Sequence, residues 1–315
     1  MSEQLSHGLG LCVLSLLTLT LAAFGQQPAF KTHTDLVALN VTVTNEQGRV
    51  VRGLTQDSFT VMEDGTPQKI TQFAGDALPL SLLVALDASE SMTGRRFDFA
   101  REAVLQLVGR LGSDDEIGVF GFNDRAFNIQ TWTRSRDTVA QALQQVKPTG
   151  YTALYSAVSI GLDAFQTARH RRQALIVISD GDDRLPGDVT RSGDFKPAQR
   201  RAMPVLERAV QSEALIYAIG VDAPTEGPYA VDPFALRKLT DPTGGMTQIG
   251  RSDSAVVGAA ERMGDELRQQ YVIGFVSDRP KDGKFHNVRV TVDGCRKCAV
   301  RARLGYVADK PNPSS

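Results

Sequence analysis

Residues 80–92, LSLLVALDASESM, contain an apolar run that ends in an aspartate and two serines. Apolar residues that follow one another without alternation, as at 82–86, are typical of a strand buried on both faces. Asp87, Ser89 and Ser91 then occupy alternate positions, so three oxygen-bearing side chains stand where the strand ends. An ordinary turn needs only one or two such residues. We therefore expect this strand end to hold a ligand.

The strand at 80–86 is the first of a series in the middle of the chain. Similar apolar runs occur at 117–122, 174–179 and 215–221, and helical patterns lie between the runs, at 95–111, 136–146, 152–168, 199–213 and 254–270. Strands that alternate with helices in this way predict an α/β fold with a doubly wound, mostly parallel sheet over residues 79–270. The short segment FNIQTW (127–132) is predicted to be an antiparallel edge strand.

The two ends of the chain have the pattern of half-buried strands. LVALNVTVTN (36–45) alternates strictly, and valines alternate again from 288 to 292, followed by a second alternating run at 298–306. Segments 30–78 and 271–308 are each small for an independent core. We predict that they pair into one small β-sandwich, with the α/β domain inserted between them in the sequence. Residues 309–315 are predicted to form a disordered tail.

Residues 1–25 are predicted to be a secretory signal peptide. The apolar stretch LGLCVLSLLTLTLAAF (9–24) has the length of a signal core and is short for a membrane span. Cleavage would leave an exported protein, in the periplasm, secreted or in the cell envelope. The leader before this stretch has no Lys or Arg, so an uncleaved N-terminal membrane anchor is the alternative.

Charge and cysteine content exclude other classes of protein. The chain has 35 basic and 36 acidic residues without a long run of either sign, whereas a nucleic-acid-binding protein shows a basic stripe. Cys295 and Cys298 form a single CxxC pair between two strand patterns, which is half of a structural zinc site and lacks the helix of a thioredoxin-like redox motif. In an exported chain we expect them to form a short disulfide across a turn.

Two more oxygen side chains are expected to meet the strand end at Asp87. Asp180 ends the strand at 174–179, and Thr152 opens the helix at 152–168. Ligands of an open parallel sheet bind beyond the carboxyl ends of its strands, where the strand order reverses. Two carboxylates and three hydroxyls, without His or Cys, select a hard cation. These residues predict a site for Mg²⁺, Ca²⁺ or Mn²⁺ with an open position suited to an anionic oxygen.

These residues resemble a known metal site. DASES (87–91), the threonine of GYT (150–152) and SDGDD (179–183) are similar to the metal-ion-dependent adhesion site of the von Willebrand factor type A domain. The resemblance covers about 79–270, and the segments 51–73, 266–278 and 300–306 look like the flanks of exported bacterial proteins with this domain. It implies that Ser89, Ser91 and Thr152 contact the metal directly, and that Asp87 and Asp180 act through waters or hydrogen bonds.

Three features near the site depart from the pattern or extend it. Glu90 and Tyr151 stand where many members of the family have glycine. The long segment 179–197 also carries Asp182, Asp183, Asp188 and Asp194. We interpret this segment either as a specificity loop or second cation site, or as a solvated polar loop.

The leading functional hypothesis is a non-enzymatic, exported adhesion or protein-binding module. Its metal would bind a carboxylate on a protein partner. A metal-dependent hydrolase is one alternative, although no GxSxG or phosphate-loop motif and no base for proton transfer is identifiable. A metal-free scaffold in a cell-envelope complex is the other.

Overall fold

Fourteen strands and six α-helices form the part of the chain that the structure describes. The computed structural model describes residues 36–75, 78–186, 188, 196–222 and 231–308. The strands are β1 (Leu36–Thr44), β2 (Phe59–Glu63), β3 (Thr66–Gln68), β4 (Ile70–Ala74), β5 (Ser81–Asp87), β6 (Glu116–Phe122), β7 (Ala126–Thr133), β8 (Gln173–Ser179), β9 (Leu215–Val221), β10 (Thr247–Gly250), β11 (Tyr271–Val276), β12 (Phe285–Val292), β13 (Ala299–Arg301) and β14 (Gly305–Val307). The helices are α1 (Arg95–Arg110), α2 (Arg136–Leu143), α3 (Leu154–Ala164), α4 (Lys196–Gln211), α5 (Pro233–Thr240) and α6 (Asp253–Leu267).

A six-stranded sheet, in the order β10-β9-β8-β5-β6-β7, is the centre of the molecule. Every neighbouring pair is parallel except β6 and β7, which are antiparallel at the edge, as predicted for this segment. From β5 the chain first adds β6 and β7 on one side and later β8, β9 and β10 on the other. The strand order therefore reverses between β5 and β8, which is where such sheets bind ligands.

Helices cover both faces of this sheet, and this explains why its strands lack an alternating pattern. Leu82, Val84 and Leu86 point into one core, which α1, α2 and α6 cover. Leu83 and Ala85 point into the other, under α3, α4 and α5. Because both faces are apolar, both sets of positions in β5 must be apolar as well.

The two ends of the chain form two antiparallel sheets of four strands, in the orders β13-β1-β11-β4 and β14-β12-β2-β3. Each sheet combines strands from before and after the α/β part, and side chains from both sheets share one apolar core. The predicted fold class is confirmed: a mostly parallel α/β sheet is accompanied by antiparallel sheets from both flanks.

The structure differs from the sequence prediction in three elements. Helix α5, of eight residues, and strand β10, of four residues, were not predicted. The alternating run at 298–306 was predicted as one strand but forms two, β13 and β14, in different sheets. The break has a local cause: the backbone N–H of Leu304 donates to Pro242 O (3.1 Å), which takes the chain from one sheet to the other.

Three other predictions concern the covalent structure and the chain ends. Cys295 and Cys298 are joined by the predicted disulfide. The predicted signal peptide (1–25) and the predicted tail (309–315) lie outside the described residues. Within the described residues, every helix is too short or too polar to cross a membrane.

Candidate metal centre at the strand ends

Asp87 and Asp180 lie side by side because β5 and β8 are parallel neighbours. Asp87 is the last residue of β5, and Asp180 directly follows β8. Both side chains are fully buried, at the edge where the strand order reverses. Two carboxylates in one buried position repel each other, and this arrangement requires compensating positive charge or hydrogen bonds.

Hydrogen bonds hold the carboxylate of Asp87. Its Oδ1 accepts from the backbone N–H of Ser89 (2.9 Å), and its Oδ2 accepts from the hydroxyl of Ser179 (2.5 Å). Burial raises the pKa of Asp87 to about 7, the charge of Asp180 adds to the increase, and the hydrogen bonds from Ser179 and Ser89 oppose it.

Ser89 and Ser91 are brought together by a single turn of 3₁₀-helix (Glu90–Met92) that follows β5. Their hydroxyl oxygens are 3.2 Å apart. Neighbouring oxygens around an octahedral Mg²⁺ ion with metal–oxygen distances of 2.0–2.1 Å are about 2.9 Å apart. The two serines are therefore spaced almost as two adjacent ligands of one such ion would be.

Backbone hydrogen bonds attach the loop of Thr152 to both strand ends. Thr149 N–H donates to Ala88 O (2.8 Å), and Glu90 N–H donates to Gly150 O (2.9 Å). Thr152 itself is buried and exchanges two backbone hydrogen bonds with Arg184, each of 2.8 Å. The predicted metal-binding residues of all three loops thus lie in segments that are hydrogen-bonded to one another.

One carboxylate oxygen of Asp180 has no hydrogen bond within the described structure. Oδ1 accepts from the N–H of Asp182 (3.1 Å), whereas Oδ2 is buried without a hydrogen-bond partner. The next residue, Gly181, has a φ of +84°, and a Cβ at this position would lie 2.7 Å from the carbonyl oxygen of Asp232. Only glycine fits both the conformation and the space, so the turn after Asp180 is tightly constrained.

Two residues at the site were not predicted from the sequence. Ser179 could have been recognised because it directly precedes Asp180. Arg96 lies in the first turn of α1, and its Nη1 is 3.6 Å from Oδ2 of Asp180 and donates to the carbonyl of Ser91 (3.1 Å). The side chains of Arg96 and Asp180 are each only 1% exposed. A guanidinium group thus reaches the centre of the candidate site.

Arginines pair with the acidic residues of the loop after Asp180. Arg201 binds the carboxylates of Asp183 (2.7 Å) and Asp188 (2.5 Å), and Arg184 lies 3.2 Å from Asp182. Asp183 also accepts from the N–H of Tyr155 (3.2 Å) in the first turn of α3. These contacts favour a structural role for the three aspartates, while Asp194 lies outside the described residues.

The donor set fits a hard divalent cation. A buried carboxylate oxygen without a hydrogen bond, on Asp180, and two adjacent hydroxyls are the chemistry that Mg²⁺ selects. Within the described residues, no group of three or more His, Cys, Asp or Glu side chains is arranged to hold a metal ion. The candidate site is of another kind, with two carboxylates and three hydroxyls.

Comparison with known proteins identifies the domain. Residues 82–182 match the family model of the von Willebrand factor type A domain. An uncharacterized protein of Synechocystis sp. is 30% identical over 109 residues, which are 34% of this chain and 26% of that protein. Inter-alpha-trypsin inhibitor heavy chain H4 of Sus scrofa is 22% identical over 188 residues, 56% of this chain and 19% of that protein. The chain thus spans about a quarter or less of the length of these relatives.

A solved structure extends the similarity to the fold. The von Willebrand factor type A protein from Catenulispora acidiphila superposes with a TM-score of 0.50 at 12% identity, covering 88% of this chain and 75% of that chain. The sequence match contains Asp87, Ser89, Ser91, Thr152 and Asp180, and the fold places their loops at one edge of the sheet. The chain contains a von Willebrand factor type A domain.

Proposed function

We propose that this protein is a non-enzymatic binding module that holds Mg²⁺ at its strand ends and uses the ion to bind a carboxylate of a protein partner. Asp87, Ser89, Ser91, Thr152 and Asp180 would hold the ion, and Mn²⁺ or Ca²⁺ could replace it. When bound, the ion would supply a Lewis-acidic position for the partner's carboxylate oxygen. The predicted signal peptide makes the cell envelope or the extracellular space its place of action.

The buried Oδ2 of Asp180 is the observation that carries this proposal. A carboxylate oxygen removed from water without a hydrogen bond is unfavourable by several kcal/mol unless a cation compensates it. A divalent ion bound between Asp180 and the two serine hydroxyls would compensate it. Neutral hydroxyl ligands leave the ion electrophilic, which favours a further anionic ligand from outside.

The positions of the histidines argue against the hydrolase alternative. Hydrolysis needs a group that moves a proton at the reacting centre. Among the described residues, His170 contacts Asp114 O near the start of β6, and His286 contacts Asp64 in the sandwich. Neither belongs to the strand-end site.

The metal-free scaffold remains the second candidate because of one specific contact. Arg96 already places a positive charge beside Asp180. If this guanidinium alone stabilised the site, the protein would need no metal.

Metal binding distinguishes these two functions. We expect magnesium to raise the melting temperature of the wild type and to bind in calorimetry. Ser91→Ala should weaken binding at least ~10-fold, equivalent to about 1.4 kcal/mol, because a ligand oxygen is lost. Ser113→Ala is the matched control, since Ser113 is exposed near the opposite end of the sheet. No heat of binding with Mg²⁺, Mn²⁺ or Ca²⁺ would leave the scaffold as the function.

The partner is tested separately. Wild-type protein immobilised on beads should retain an envelope protein in magnesium and release it in chelator, and Ser91→Ala should not retain it. Blocking the carboxylates of the captured protein should abolish its retention. A partner held equally in chelator would contradict the metal-bridged contact.

A further inference from the structure

The arginine in the candidate metal site stands in an electrostatically unfavourable position. Arg96 is the second residue of α1, where the positive end of the helix dipole disfavours a cation. Its side chain is 1% exposed, and a buried guanidinium requires compensation. Asp180 provides it. A residue that opposes its helix and lies buried against a metal-binding carboxylate points to a role at the site.

The geometry of this ion pair leaves Oδ2 of Asp180 without a hydrogen bond. The nearest nitrogen of Arg96 lies 3.6 Å from Oδ2 of Asp180, too far for a hydrogen bond, and the same nitrogen donates to the carbonyl of Ser91 at 3.1 Å. Arg96 therefore places positive charge near the oxygen without occupying it. The guanidinium thus contacts both Asp180 and the turn that carries Ser89 and Ser91, two of the three segments that would hold the ion.

We propose that Arg96 is a built-in counter-charge that competes with the divalent cation for Asp180 and so weakens metal binding at this site. The inference rests on the proposed metal site. Without metal, Arg96 compensates the buried carboxylates and keeps the two strand-end loops together. When a divalent ion enters, it must share Asp180 with the guanidinium, and the two cations repel each other at short range.

Removing the charge of Arg96 tests the inference. Arg96→Gln removes the charge and keeps a polar amide on a shorter side chain. We expect this variant to bind Mg²⁺ and Mn²⁺ at least ~10-fold more tightly than the wild type in calorimetry, since a cation near a divalent ion at low effective dielectric is strongly repelled. Its melting temperature should be lower than that of the wild type in chelator and should rise more on adding magnesium.

The neighbouring arginine is the matched control. Arg95 is exposed and lies over the ring of Phe99, with 5.5 Å between the guanidinium carbon and the ring centroid. Arg95→Gln makes the same chemical change one residue away and should leave metal affinity within about threefold of the wild type, because an exposed charge is screened by solvent. Arg96→Lys, which keeps a charge, should not reproduce the gain of Arg96→Gln.

The outcomes separate this inference from the proposed function. Metal binding by Arg96→Gln but not by the wild type would support the inference and reject the proposed function. Metal binding by the wild type with equal or weaker binding by Arg96→Gln would reject the inference alone. If neither protein binds metal, both are rejected. Circular dichroism covers the case in which Arg96→Gln does not fold without metal. If metal restores its fold, the result supports the inference that the metal and Arg96 compensate the same carboxylate. If the variant stays unfolded at saturating metal, the inference is overturned.

Discussion

Two features of its surroundings are unfavourable for the charged carboxylate of Asp180. Its carboxylate is buried, and it lies next to a second buried carboxylate, that of Asp87. Local contacts partly compensate both effects. Ser179 and the N–H of Ser89 donate hydrogen bonds to Asp87, and Arg96 forms an ion pair with Asp180. Oδ2 of Asp180 nevertheless remains without a hydrogen bond, and a divalent cation would compensate it.

Gly181→Ala should destabilise the protein more than an ordinary substitution of a glycine with positive φ. The left-handed conformation alone is unfavourable for alanine by about 1 kcal/mol. At Gly181 the new Cβ would also overlap the carbonyl of Asp232, 2.7 Å away, which should add ~1–3 kcal/mol. The measurement is the free energy of unfolding in urea.

Gly53→Ala is the control for this substitution. Gly53 has a φ of +75°, but a Cβ there would meet no atom within 4 Å. It therefore reports the conformational effect without the overlap. Equal losses of stability in the two variants would show that the close approach at Gly181 is relieved by small shifts.

The residues of the site differ in how far they could be predicted. Asp87, Ser89 and Ser91 occupy alternate positions in a recognisable turn, so their sequence spacing already indicates that they lie together. The position of Arg96 depends on which way a long side chain turns from the start of α1, and the local sequence does not determine this. Only the packing of α1 against β5 and β8 buries the guanidinium beside Asp180.

The short helix α5 illustrates a similar limit among the secondary-structure elements. Asp232 caps it by accepting hydrogen bonds from the N–H groups of Phe234 and Ala235, each at 3.0 Å, and Pro233 occupies its first position. These are recognised start signals of a helix. Its apolar pattern is short, however, because the buried apolar positions of this helix are only Ala235, Leu236 and Leu239. The stability of α5 comes instead from Leu236 and Leu239, which are buried against the sheet.

The turn between β2 and β3 is held by a carboxylate that also joins β12. Asp64 has a φ of 46° and accepts from the N–H of Asn287 (2.9 Å). Its other oxygen lies 2.8 Å from Nδ1 of His286. The hydrogen bond with His286, followed by that from Asn287, lowers the pKa of Asp64 below its usual value of 3.8. The contacts across the two β-strands thus favour the ionised form.

Asp64→Asn should therefore destabilise the protein at neutral pH but not in acid. A pKa that is lower in the folded than in the unfolded state stabilises the fold above the unfolded value, and this stabilisation is lost as the pH falls through the folded value. The difference in urea midpoint between wild type and variant should be present at pH 6 and should shrink as the pH falls below the usual aspartate pKa of 3.8. Asparagine tolerates positive φ as aspartate does, so the variant isolates the charge.

Asp57→Asn is the reference for this pH series, because Asp57 is exposed and lies just before β2. The urea midpoint of Asp57→Asn should match that of the wild type throughout this pH series. A difference between wild type and Asp64→Asn that persists unchanged in acid would mean that the charge of Asp64 has no part in holding the turn.

The α/β part and the sandwich behave as one body because a buried polar network connects them. The described residues of both parts, between 36 and 308, belong to one compact unit. Helix α6 leads directly into β11, and Gln270, between them, donates to Thr42 of β1 and to Tyr217 of β9, each at 2.9 Å. Glu266 accepts from the same two hydroxyls. The insertion of one fold into another is thus stabilised by shared hydrogen bonds at the point where the chain passes between them.

This arrangement could be predicted only in part. The alternating strands at both ends indicate a sandwich, since neither end has enough apolar surface for a core of its own. The polar side chains that join the two parts have no pattern in sequence, because Thr42, Tyr217 and Gln270 come from distant segments. Their roles follow from the packing of β1 beside the end of α6.

Gln270→Leu should weaken the whole molecule. Gln270 also accepts from Nη2 of Arg172 (2.9 Å), whose burial lowers its pKa to about 10. The substitution would leave three buried polar groups with fewer hydrogen bonds, and we expect a loss of about 3–5 kcal/mol in the free energy of unfolding. Gln141→Leu, at an exposed position of α2, should change this free energy by less than about 0.5 kcal/mol.

Calorimetry tests whether Gln270 joins the two parts. The wild type should unfold in one calorimetric transition, whereas in Gln270→Leu this transition should begin to separate into two, one for the sandwich and one for the α/β part. A single transition at an unchanged temperature in Gln270→Leu would show that apolar packing alone joins the two parts.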